Sequence, residues 1–186
     1  MAKVGLNPIF DSVRGKVGDL VLKQYGDSVV MARVGEPGLP ASAAQLAHQE
    51  RFRAATRYGK LALMDAPTRA LYQAQAQARS LPVFAVMVAD YFNAPTILNV
   101  DATAYTGAVG SQVLVLADDD FAVAGVQVKI AAGSTLVEEG AAVEILVDSG
   151  RYYYTATQAA PAGALTITVT VRDRPGNATS QVVTKG

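Results

Sequence analysis

The sequence predicts an α+β chain: an N-terminal β-hairpin and three helices over residues 1–95, then an all-β module over residues 96–186. Three observations carry that reading. Apolar residues sit in short β-rich runs around residues 20–34, at helical spacing from residue 43 to residue 92, and in short β-rich runs again from residue 97 onward. Clusters rich in Gly, Pro and Asp punctuate these stretches, among them Asp65-Ala66-Pro67, Ser80-Leu81-Pro82 and Asn93-Ala94-Pro95. The charge also changes sign: residues 1–95 hold 11 Lys/Arg against 7 Asp/Glu, and residues 96–186 hold 5 against 9. Halves of opposite sign suggest two modules that attract one another within or between chains.

In the first module Gly15-Lys16-Val17-Gly18 reads as a loop, followed by β-rich runs at 20–25 and 28–34. Gly26-Asp27 between them is a two-residue hairpin signal. That turn sets Leu22 opposite Met31, Gln24 opposite Val29, Val21 opposite Ala32 and Lys23 opposite Val30. Both faces of the ribbon are then largely apolar, and an isolated two-stranded ribbon is marginal in water. Residues 28–32 contain neither charge nor proline, so as a free edge they invite strand addition. Leu20, Leu22, Val29, Val30 and Met31 are therefore expected at an interface with neighbouring copies.

Gly35-Glu36-Pro37-Gly38-Leu39-Pro40 is a linker, and Ser42-Ala43-Ala44-Gln45 matches a capping box. A helix follows over 43–64, with Phe52, Ala55, Gly59 and Leu63 as its buried stripe and Ala44, Ala47, Ala54, Tyr58 and Leu61 widening it. Small residues there allow a partner helix to approach closely. A second helix is expected from Pro67 to about Arg79, with Leu71, Ala74 and Ala78 inward, and a third over 83–92.

After Pro95 strands are expected at 97–100, 112–117, 125–130, 142–147, 152–157, 165–172 and 180–184. Their core would hold Val113, Val115, Val126, Val128, Ile130, Tyr152, Tyr154, Ile167 and Val169. Seven short strands in half the chain suggest an immunoglobulin-like sandwich, although the Cys and Trp of antibody domains are absent. The stretches Asp118-Asp119-Asp120-Phe121-Ala122-Val123-Ala124-Gly125-Val126, Gly150-Arg151-Tyr152-Tyr153-Tyr154-Thr155-Ala156 and Thr168-Val169-Thr170-Val171-Arg172-Asp173-Arg174-Pro175-Gly176-Asn177 resemble a bacterial immunoglobulin-like domain. That resemblance implies spacing, display or adhesion in surface or phage virion proteins. Gly15-Lys16-Val17-Gly18-Asp19, the hairpin, Arg33, Gln45 and Arg51-Phe52 are similar to small bacterial and prophage-associated proteins, which implies a structural role.

The chain has no Cys and one His, which excludes disulfides, thiolate zinc sites, Cys nucleophiles and multi-histidine metal sites. His48 reads as a polar helix-face residue, with no Gly-x-Ser-x-Gly elbow in the chain. Gly107-Ala108-Val109-Gly110 is a turn, lacking the Gly-Lys-Ser/Thr of a phosphate loop. Asp118, Asp119, Asp120, Asp173 and Asn177 are oxygen donors of the kind calcium takes, or turn residues bonded to their own backbone. Arg53, Arg57 and Lys60 form one basic helix face, either solvated or set against phosphates or the acidic module of a neighbour. Alternation places Tyr152 and Tyr154 in the core and leaves Tyr153 outside.

No secretory signal run and no membrane-spanning stretch is present, so synthesis in the cytoplasm is expected; the final location stays open, a virion and an extracellular assembly being among the options. The expected function is a non-enzymatic, self-assembling, phage-like or filament-forming structural subunit. Its partners would be copies of itself and other virion or cell-surface proteins, with no cofactor and no nucleic acid. The competing expectation is a monomeric adhesion or glycan-binding module.

Overall fold

The computed structural model describes residues 2–4, 14–25, 28–34 and 40–186, and the chain divides into two compact units, Met1–His48 and Gln49–Gly186. The first unit holds an antiparallel sheet of β1 (Ala2–Val4), β2 (Gly15–Val17), β3 (Leu20–Tyr25) and β4 (Ser28–Arg33), in the order β1-β4-β3-β2. The β3–β4 register is the expected one, with Leu22 opposite Met31 and Lys23 opposite Val30. The expected Gly26-Asp27 turn lies outside the described residues, as do 35–39 of the linker.

Two expectations are corrected here. Gly15-Lys16-Val17 is a strand rather than a loop, turned back by Gly18-Asp19 so that Val17 pairs with Leu20. Gly18 supplies the left-handed backbone, φ +57°, which such a tight hairpin turn favours. Nor is β4 a free edge, because β1 pairs along it through Lys3 opposite Val30. The edges are the three-residue strands β1 and β2, and short edges are one way in which sheets resist unwanted pairing.

Helix α1 (Ala43–Met64) starts in the first unit, at the expected capping box. The Ser42 N–H donates to Gln45 Oε1 at 2.8 Å, and the Gln45 N–H to Ser42 Oγ at 3.3 Å. In the second unit, α2 (Ala66–Arg79) begins where Asp65 accepts from the Thr68 N–H and ends on Ser80 in the left-handed region. Helix α3 (Val83–Phe92) follows Pro82. The inward residues are Ala55, Gly59 and Ala62 of α1, Tyr72 and Ala76 of α2, and Val86, Met87 and Asp90 of α3. A Cβ on Gly59 would lie 3.7 Å from both Met87 and Phe84, which is the close helix approach that small residues permit. Phe52, Ala44, Ala47 and Leu61 are exposed, as are Leu71, Ala74 and Ala78, contrary to expectation. On α2 the buried face is one residue on, because the Tyr72 hydroxyl finds a partner in Asp90.

The β-rich part comprises β5 (Thr96–Asp101), β6 (Gln112–Asp118), β7 (Val123–Ala132), β8 (Thr135–Glu144), β9 (Arg151–Thr155), β10 (Leu165–Asp173) and β11 (Ala178–Lys185). All pairings are antiparallel, in the order β11-β10-β7-β8-β9-β6-β5. Strand β8 pairs with β7 along most of its length and with β9 only at Val143 and Glu144. The end strands β11 and β5 approach one another, and Lys185 Nζ donates to the Thr103 carbonyl at 3.4 Å, so the sheet curls nearly into a barrel. All nine expected core residues are buried, joined by Leu165 and Val171 on β10. Each such aliphatic contributes on the order of 1.5–3 kcal/mol.

The strand expected at 142–147 instead occupies Thr135–Glu144. Ile145, Leu146 and Val147 lie beyond it, 51%, 70% and 89% exposed, in the connection to β9.

The expected boundary at 95/96 falls inside the second unit. There the helices and the β-rich part share side chains. Phe121 stacks on Tyr72 with ring centroids 4.2 Å apart. Arg79 donates to the Asp120 carbonyl and Asn93 Nδ2 to the Asp120 carboxylate. Asn177 Nδ2 reaches the carbonyls of Tyr91 and Asn93, both at 3.2 Å.

Candidate assembly surfaces and the buried polar junction

Among the residues expected at an interface, the structure pairs Leu22 with Met31 and Lys23 with Val30 in the first unit. Val29 is buried, Leu22, Val30 and Met31 are half-buried, and Leu20 is exposed. In the second unit Arg53, Arg57 and Lys60 are exposed along α1. At about 100° per residue, these three share one arc with Leu61 and Met64, opposite the buried Ala55–Gly59–Ala62 line. Leu61 is 66% exposed and Met64 79%, so the outer face of α1 is both basic and apolar.

A second surface lies at the turn joining β8 to β9. Asp148 adopts φ +60°, and the Ser149 N–H donates to the Leu146 carbonyl at 3.0 Å, closing a tight turn. That geometry leaves Leu146 and Val147 outside. Beside the turn, Asp118, Glu144 and Asp148 line a cleft of 340 Å³. Around the corner Tyr153, Gln112, Thr155, Val143 and Ile145 line a groove of 660 Å³. Tyr153 is half-buried there, while Tyr152 and Tyr154 are in the core.

Of the acidic residues weighed as calcium ligands, Asp119, Asp120 and Asp173 accept hydrogen bonds from protein groups. Asp119 accepts from the Phe121 and Ala122 N–H groups at 3.1 and 3.0 Å. Asp173 accepts from the Gly176 N–H at 2.8 Å and from Asn177 Nδ2 at 2.6 Å. Asp118 is exposed. Among the described residues no group of three or more His, Asp or Glu is placed to hold a metal ion. His48 is exposed on α1.

The polar centre of the second unit was not legible beforehand. Asp90, 1% exposed, accepts from the Tyr72 hydroxyl, which in turn pairs with the Tyr58 hydroxyl at 2.8 Å. The second oxygen of Asp90 has no partner. Loss of hydration raises its carboxyl to about 6, against the Tyr72 hydrogen bond, with Asp119 and Asp173 adding to the rise. Glu138 behaves oppositely. Burial works against its charge, but donors from the Thr157 backbone, the Thr157 hydroxyl and the Gln158 backbone hold its carboxyl below the usual range. These buried acids tie loops to elements: Asp90 joins α3 to α2, and Glu138 joins β8 to the segment after β9.

No helix among the described residues is long and apolar enough to cross a membrane. Comparison with protein-family models, with curated proteins and with solved structures finds no match for this chain.

Proposed function

We propose that the protein is a non-enzymatic structural subunit that assembles with copies of itself, as a phage-virion-like component or a filament, and carries an immunoglobulin-like domain. The observation that carries this reading is the set of large apolar side chains that the second unit leaves exposed. Leu61, Met64 and Leu81 on the helical side, and Leu146 and Val147 on the β side, are each about half exposed or more. Leu61 and Met64 are neighbours on one helix face and Leu146 and Val147 are adjacent in one turn, and grouped exposed apolar side chains are the material of interaction sites. The immunoglobulin-like part of the proposal draws on strand order. With β5 to β11 taken as A, B, C, C′, E, F and G, the single sheet reads G-F-C-C′-E-B-A, an order that keeps G-F-C-C′ and E-B-A together as that sandwich class would. The non-enzymatic part draws on the buried acids Asp90, Glu138 and Asp173, each of which accepts a structural hydrogen bond.

Sedimentation velocity of the full chain at neutral pH, over a wide concentration range, tests the proposal. Species larger than one chain that grow with concentration are expected. A monomer at every concentration, in low and moderate salt alike, would refute it. The second reading, a monomeric adhesion or glycan-binding module, would then take its place. One observation favours that reading: the groove of 660 Å³ sets the Tyr153 ring beside the polar side chains of Gln112 and Thr155, a combination suited to stacking and hydrogen-bonding a sugar.

A further inference from the structure

We infer that the β8–β9 turn of one copy docks on the outer face of α1 of the next, so that assembly is head-to-tail through two different surfaces; this rests on the self-assembly proposed above and names its contact. Two independent properties of the surfaces match. Each has an apolar centre that the fold leaves uncovered: Leu61 and Met64 on α1, and Leu146 and Val147 at the turn. Each is also flanked by charge that is mainly of one sign. Arg53, Arg57 and Lys60 outnumber Glu50 on the helix face, while Asp118, Asp119, Glu144 and Asp148 line the cleft beside the turn. Apolar anchors ringed by complementary charge supply both affinity and orientation.

The occupant is a second copy because this chain carries both halves of the match. A contact of each face with itself would set two surfaces of the same predominant charge together. Such juxtaposition opposes association. Two different surfaces on one chain form a heterologous contact, which repeats to give a ring or an open filament.

Two variants separate the surfaces. Met64→Asp places a carboxylate on the helix face, and Val147→Asp places one on the turn. Both positions are exposed, 79% and 89%, so both variants should keep the circular dichroism spectrum of the parent. Each alone is expected to weaken assembly on the order of tenfold or more. Mixed in equal amounts, they should form a discrete dimer and nothing longer, because each retains one intact half of the contact. Four outcomes overturn the inference: both variants assemble like the parent, only one of them loses assembly, the mixture stays monomeric, or the mixture forms species longer than a dimer. Any of these against an assembling parent leaves the self-assembly proposal standing, whereas a monomeric parent removes both.

Discussion

Asp90 shows how a single residue couples the core to pH. Its folded carboxyl titrates at about 6, above the ordinary value of 3.8. Between those values the folded chain holds a proton that the unfolded chain has released, so stability is greatest at the acid end and falls as the pH rises through about 6. The group is 1% exposed, so the effect is not screened by water. This is the contribution of Asp90 alone, about 2–3 kcal/mol across the window, and Glu138, held low, contributes with the opposite sign. Asp90→Asn keeps the shape and the acceptor for Tyr72 while removing the charge. It should raise the melting temperature at pH 7.5, leave it nearly unchanged at pH 4, and flatten the difference between the two. A variant less stable than the parent at pH 7.5 would contradict the desolvated carboxylate. Asp119, also pushed up chiefly by burial, contributes a slope of the same sign.

Elements whose punctuation is local were the legible ones. The Ser42–Gln45 box begins α1, Pro67 and Pro82 restart α2 and α3, and the β3–β4 register follows from one turn. Strand β8 was misread because its pattern is broken twice: Glu138 is a buried charge on the strand, and Ile145-Leu146-Val147 is an apolar run outside it. Both depend on partners remote in sequence, Thr157 in one case and an uncovered turn in the other. The inward face of α2 was missed for the same reason, since Tyr72 is buried by Asp90 and Phe121. The candidate contact was half visible, as Arg53, Arg57 and Lys60 are spaced for one face, but the turn opposite them was assigned to a strand. That turn makes an element-scale prediction. Gly150 lies at φ +64°, and a Cβ there would sit 2.6 Å from the Ala117 carbonyl. Gly150→Ala should therefore cost about 2–4 kcal/mol, read as a lower midpoint in urea unfolding. An unchanged midpoint would mean that the turn relaxes freely.

At the scale of the whole molecule, the second unit joins three helices to a curled seven-stranded sheet through Phe121, Asp120 and Asn177. This gives the proposed contact a firm base, because residues 49–64 of α1 and the β8–β9 turn belong to the same compact unit. The opposite charges of residues 1–95 and 96–186 suit repeated head-to-tail addition and make it sensitive to salt at the rims. Negative-stain electron microscopy of the full chain, at neutral pH and low salt, is the most direct measurement of the proposed assembly. Rings or filaments with one repeating subunit are the predicted result. A field of separate particles the size of one chain, at concentrations well above micromolar, would contradict it.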